Sequence, residues 1–155
     1  MSQQIGDQSL ADQAPSSTKR MYKCEYREVT EGVEVCVIPE YLPGNSDPED
    51  QHFFFAYHVT ITNHRQSPVQ LLSRHWIIRN GMGVTEDVRG PGVVGEQPTV
   101  SPGQSFNYSS ACPLSTSTGN MRGSFEMVDE DGQRFRVVIP LFFLNARSKA
   151  TYLDS

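Results

Sequence analysis

Phe53-Phe54-Phe55-Ala56-Tyr57-His58-Val59-Thr60-Ile61-Thr62-Asn63 is the stretch that decides the fold. On an extended chain Phe53, Phe55, Tyr57, Val59 and Ile61 share one face. His58, Thr60 and Thr62 share the other with Phe54 and Ala56. Strand side chains alternate with a period of two, so this pattern predicts a half-buried strand over residues 53–63.

Working outward, the neighbouring segments read the same way. Val33 to Ile38 is β-branched and runs into Pro39. A loop from Tyr41 to Gln51 holds Pro43, Gly44, Asn45 and Pro48, and Ser46-Asp47-Pro48-Glu49 within it suits the cap of a single helical turn. Beyond a turn at Asn63 to Pro68, a strand is predicted over Val69 to Arg79, carrying Leu71, Leu72, Trp76, Ile77 and Ile78. Asn80-Gly81 signals a tight hairpin, with Met82 to Val88 returning as a short strand. Further strands are read over Gln104 to Ala111, over Met121 to Met127, and through Phe135, Val137, Ile139, Leu141 and Phe143, with turns at Pro102-Gly103 and Asp131-Gly132. The links are too short for crossover helices, so pairing should be antiparallel. The expectation is an all-β, immunoglobulin-like or fibronectin type III-like antiparallel β-sandwich of about seven or more strands.

The chain has 155 residues and a formal net charge of −5. That length suits one domain, read here as residues 21–146. Residues 1–20 are rich in Gln, Ser and Asp and are expected to form a disordered tail, with a second tail over 147–155. The acidic balance argues against nucleic-acid binding, which usually needs a basic face. No apolar run approaches the roughly 18–20 residues of a membrane span, and the N-terminus has no secretory pattern, so a cytoplasmic, intracellular protein is expected. Cys24, Cys36 and Cys112 contain no C-x-x-C pair. Free thiols in a reducing compartment are the simplest reading, with a Cys24–Cys36 bridge as the alternative.

Residues 88–98 read Val-Arg-Gly-Pro-Gly-Val-Val-Gly-Glu-Gln-Pro, so Gly90, Gly92 and Gly95 fit G-x-G-x-x-G. The dinucleotide chemistry of that spacing needs a helix to open after the glycines. Pro98, Pro102 and flanking strand sequence deny one here. Two readings stand: an anion-binding nest of backbone N–H groups with Arg89, Arg74 or Arg79 supplying charge, or a tight bend between strands. Arg74 and Trp76 share a strand face, so Arg74 either binds a carboxylate or phosphate or lies over the indole. His58 and His75 sit on strands that a hairpin would pair, yet no companion ligand follows from spacing, so no metal site is assigned. Asp47, Glu49 and Asp50 form a small acidic loop. Cys112 has no evident activating base, and no catalytic motif is visible.

Several stretches resemble the ApaG family: Ser46-Asp47-Pro48-Glu49, Phe55-Ala56-Tyr57, Gln70-Leu71-Leu72-Ser73-Arg74-His75-Trp76, Gly90-Pro91-Gly92-Val93-Val94-Gly95-Glu96-Gln97-Pro98, Phe106-Asn107-Tyr108, Gly119-Asn120-Met121 and Ile139-Pro140-Leu141-Phe142-Phe143-Leu144. The resemblance runs from about Tyr22 to Leu144. It implies a fibronectin-type sandwich. It also implies either of two roles. Bacterial members carry a label tied to cobalt and magnesium efflux, and similar eukaryotic domains sit inside F-box and polymerase-interacting proteins. Pro91 stands where the family often has an acidic residue, which speaks against cation binding there. The function expected is a non-enzymatic protein-binding module without cofactor, with Trp76, Glu96 and Gln97 as candidate partner contacts. The alternative is a weak phosphate, pyrophosphate or divalent-cation binder at Gly90, Gly92, Gly95, Arg89 and Arg74; a phosphohydrolase is the third reading.

Overall fold

The alternating stretch is a strand over its full expected length, and it is paired on both sides. A computed structural model describes residues 24–147 and gives nine strands in two antiparallel sheets. The expected tails lie outside the described residues, Arg147 excepted, as do residues 21–23. In chain order the strands are β1 (Tyr26–Thr30), β2 (Val33–Tyr41), β3 (Phe53–Asn63), β4 (Val69–Asn80), β5 (Thr85–Pro91), β6 (Thr99–Val100), β7 (Ser105–Leu114), β8 (Thr118–Asp129) and β9 (Arg134–Asn145). The first sheet runs β1-β2-β3-β7 and the second β5-β4-β8-β9, with β6 also paired to β4. Among the described residues no helix is long and apolar enough to cross a membrane.

The core lies between the sheets. Phe55, Tyr57, Val59 and Ile61 face Trp76, Met121, Phe125, Ile139 and Phe142 across it, all buried. Trp76 meets Tyr57 edge-on at 5.1 Å and Phe142 at 5.9 Å, the geometry that aromatic quadrupoles favour. Asn63 is the buried polar residue. Its amide donates to Ser67 O and Val100 O while its Oδ1 accepts from Arg65 N, so its burial leaves no bond unmade.

Four expectations need correction. Cys24 and Cys36 are not free: they form a disulfide, and Cys112 remains a buried thiol. Pairing of Arg27 with Cys36 leaves Cys24, just before β1, with its Cα 5.7 Å from that of Cys36, inside the span a bridge requires. The thiol count therefore no longer argues for a reducing compartment. Second, the hairpin after β4 is wider than Asn80-Gly81 alone. Asn80 Oδ1 accepts from Met82 N and Val84 N, and the left-handed residue is Gly83, so β5 begins at Thr85 and not at Met82. Third, β1 and β6 have no alternating pattern and were not foreseen. Fourth, His58 and His75 do not share a hairpin, because consecutive β3 and β4 belong to different sheets. The helical turn near Pro48 forms as a short 3-10 turn over Pro48–Asp50, but Asp47 makes no side-chain cap bond.

Candidate binding face

The glycine cluster lies along one edge of β4. β5 pairs with β4 up to Ser73–Pro91, and β6 resumes at Gln70–Thr99, so residues 92–98 bridge the two on the same edge. Opposite them β4 has a bulge between Leu71 and Ser73. The loop closes on that bulge. Leu72 O accepts from Gly92 N at 2.8 Å and from Gln97 Nε2 at 2.9 Å, Leu71 N donates to Pro98 O, and Gln70 Nε2 donates to Gln97 O. Val93 and Glu96 exchange both backbone bonds around Val94-Gly95, where φ is positive at both residues, a type I′ geometry.

Each glycine then has a steric reason. A Cβ on Gly90 would stand 3.0 Å from the Arg74 guanidinium. Gly92 has φ +62°, and a Cβ there would collide with the Glu96 carbonyl. Gly95 takes φ +80° at the turn. Arg74 faces inward and donates to Pro91 O and Gly92 O at 3.0 and 2.9 Å. Burial raises the pKa of both Tyr57 and Tyr108, and the Arg74 charge acts against that rise on each. Arg74 therefore staples the loop from beneath. Gln97 is exposed, with its amide bonded to Leu72 O, whereas Trp76 is a core residue 3% exposed and offers a partner no surface. Glu96 and Arg89 do point outward.

The loop's edge strand leads to the outer face of the second sheet. Register sets its outward side chains in rows. One row runs Arg89, His75, Ser124, Val138 from β5 to β9, and the next runs Pro91, Ser73, Glu126, Arg136. Further rows place Arg79 beside Phe143 across Asn120, Arg122 beside Ile77, and Arg134 beside Val128. Five arginines thus share a face with two carboxylates, Asp87 and Glu126. On β9, Val138, Leu141 and Phe143 are 41%, 46% and 54% exposed.

Against this geometry the comparisons decide the family. The ApaG domain profile matches residues 43–129, more than half the chain. The chain belongs to the ApaG family. Protein ApaG of Afipia carboxidovorans is 53% identical over 121 residues, covering 78% of this chain and 93% of that protein. Protein ApaG of Aromatoleum aromaticum is 52% identical over 112 residues, covering 72% and 88%. A crystal structure from Bordetella pertussis that bears the name ApaA protein superposes with a TM-score of 0.72 at 45% identity, covering 81% of this chain and 98% of that one.

Membership in the ApaG family agrees with the sandwich and with the stretches that carried the resemblance. The ApaG profile spans the glycine loop and β4 but stops at Asp129, so the arginines and apolar side chains of β9 lie beyond it. The sequence points to Arg89 but not to Arg134 or Arg136, and its alternation sets Leu141 and Phe143 on the face of Val137 and Ile139; the register shift between β8 and β9 instead turns both outward and buries Phe142. The signal for the arginines is the alternation at the start of β9, which puts Arg134 and Arg136 at the off-core positions beside Phe135 and Val137. Among the described residues no three His, Cys, Asp or Glu side chains converge as metal ligands. Burial, with a smaller contribution from Glu86, pushes the Cys112 thiol up to about 12, away from the thiolate form that nucleophilic attack uses.

Proposed function

We propose that this chain is a non-enzymatic protein-binding module that docks its partner on the outer face of the second sheet. The observation that carries the reading is the exposed row of Val138, Leu141 and Phe143 beside arginines on the same face. Apolar side chains at the centre of a contact with arginines around them are what protein interfaces concentrate. Charge complementarity defines the occupant: a protein surface apolar at its centre and acidic at its rim. The glycine loop supports the small-ligand alternative poorly, because Leu72, Gln70 and Arg74 already engage its carbonyls, its Gly92 N–H and the Gln97 side chain.

The test compares one chain with two variants in capture from native lysate followed by quantified rebinding of the purified partner. Phe143→Asp should lose the partner, while Thr60→Asp on the opposite sheet should keep it. Equal retention by both variants would sink the proposal, as would a chain that recovers nothing and runs as a free monomer.

A further inference from the structure

The same face carries a second feature, which adjoins the apolar row at Val138, the β9 partner of Ser124. A depression of about 290 Å³ is lined by Ser73, Arg74, His75, Arg89, Ser124, Glu126 and Arg136. Its shape follows from the register. Ser73 and Ser124 are short side chains on the central strands β4 and β8, while Arg89 on β5 and Arg136 on β9 are long ones on the flanking strands. Short side chains form a floor, and the arginines form opposing walls.

Donors dominate this dish. Besides Arg74, whose guanidinium is bonded to Pro91 O and Gly92 O, two hydroxyls, two guanidiniums and the imidazole of His75, itself held by Asp87, line it against the single carboxylate of Glu126. That carboxylate is drawn toward Arg134 at 3.7 Å. Asp87, at the edge, is held by His75 at 2.9 Å and lies 3.9 Å from Arg89. Arg136 meets no carboxylate at ion-pair distance among the described residues. A lone carboxylate ligand is satisfied by one guanidinium fork. Arginines on two facing walls instead suit an anion with charge at both ends. A volume at the small end of ligand sites favours a compact one. The chain as a whole is acidic, with net charge −5, so this concentration of arginines is local and attracts anions against the overall charge.

We infer that the Ser73–Ser124 dish, walled by Arg89 and Arg136, binds a diphosphate group. Arg89 keeps the anion role the sequence suggested for it, but acts on the outer face of the sheet, beside the glycine loop and not within it, since Ser73 pairs with Pro91. The dish adjoins the protein contact proposed above at Val138, but a titration of the chain alone, with no partner present, tests it independently.

The experiment is a titration of the full ¹⁵N-labelled chain with inorganic pyrophosphate, followed by amide and arginine Nε shifts at constant ionic strength. Saturable shifts centred on Ser73, His75, Ser124, Arg89 and Arg136 are expected. Arg89→Gln and Arg136→Gln, both exposed and so neutral for folding, should each weaken binding about tenfold, as loss of a charge-assisted bond does. Glu126→Gln should strengthen it. A parallel titration with ADP separates a nucleotide's diphosphate from the free anion: tighter binding by ADP assigns the nucleotide. Shifts reproduced by potassium chloride alone would overturn the inference. So would shifts confined to residues 91–97, unaltered affinity in both arginine variants, or no saturable shift.

Discussion

The two outer faces of this sandwich are built from the same kind of strand and finished in opposite ways. On the first sheet the outward side chains bind one another. His58 bridges Glu40 and Ser109 at 2.9 and 2.7 Å, Thr62 meets Ser105 at 2.7 Å, and Glu34 takes both Arg27 and His64. The Cys24–Cys36 bridge joins β2 to the chain just before β1. On the second sheet, arginines and exposed apolar groups stand in rows with few mutual contacts. A face whose polar groups are already satisfied gains little from a partner; one whose donors and apolar groups are not yet used gains more. That difference is what favours the second face for the proposed contact.

The largest effect should come from emptying the second face. Replacing Leu141 and Phe143 together by Ser should cost about 2–4 kcal/mol of partner affinity, the range of an interface hot spot. The thermal midpoint should hardly move, since both residues are exposed. Calorimetry against the purified partner, with a thermal melt beside it, checks both halves.

Next comes the disulfide on the first face. It closes a 12-residue separation, and Cys24→Ser should cost about 2–3 kcal/mol in denaturant unfolding. Thiol titration should find no reactive group in the native wild type and one on unfolding, that of Cys112. Two further reactive thiols in the native wild type would show the bridge to be absent.

A smaller loss is expected from His58→Ala, about 1 kcal/mol for two partly exposed hydrogen bonds. Urea unfolding measures it, and partner binding should be unchanged. The smallest effect is a pH dependence from Glu34. Burial raises its pKa, but hydrogen bonds from Arg27 and His64 outweigh that and leave it below the ordinary value of 4.5. The unfolded chain therefore takes up this proton first as pH falls. The stabilisation is complete above about pH 4.5 and disappears as pH drops through the lowered native value. Glu34→Gln should flatten that part of the acid-stability curve.

Much of this contrast was hidden in the sequence for physical reasons. β3 was legible because one of its faces is core and the other polar, so period two survives in the residue order. β1 was not: Tyr26, Arg27, Glu28, Val29 and Thr30 form an edge strand that is mostly exposed, and its place is set by pairing to β2. Trp76 stands in the sequence as a candidate partner contact because periodicity alone cannot say which face of a strand is covered. The glycines identified the family, while their work, clearing Arg74 and the Glu96 carbonyl, depends on contacts across strands. Likewise Arg89 and Arg136 are far apart in the chain and become neighbours of one depression only through the shared register of β5, β4, β8 and β9.

The strand order also sets the tempo of folding. The central pairings join distant segments, Thr60 with Asn107 and Ile77 with Arg122, so most chain entropy is lost before those contacts return anything. Such topologies fold in milliseconds to seconds. The Cys24–Cys36 bridge sits in the local β1–β2 hairpin and shortens neither long closure. Its reduction should leave the refolding rate nearly unchanged and appear almost wholly as faster unfolding.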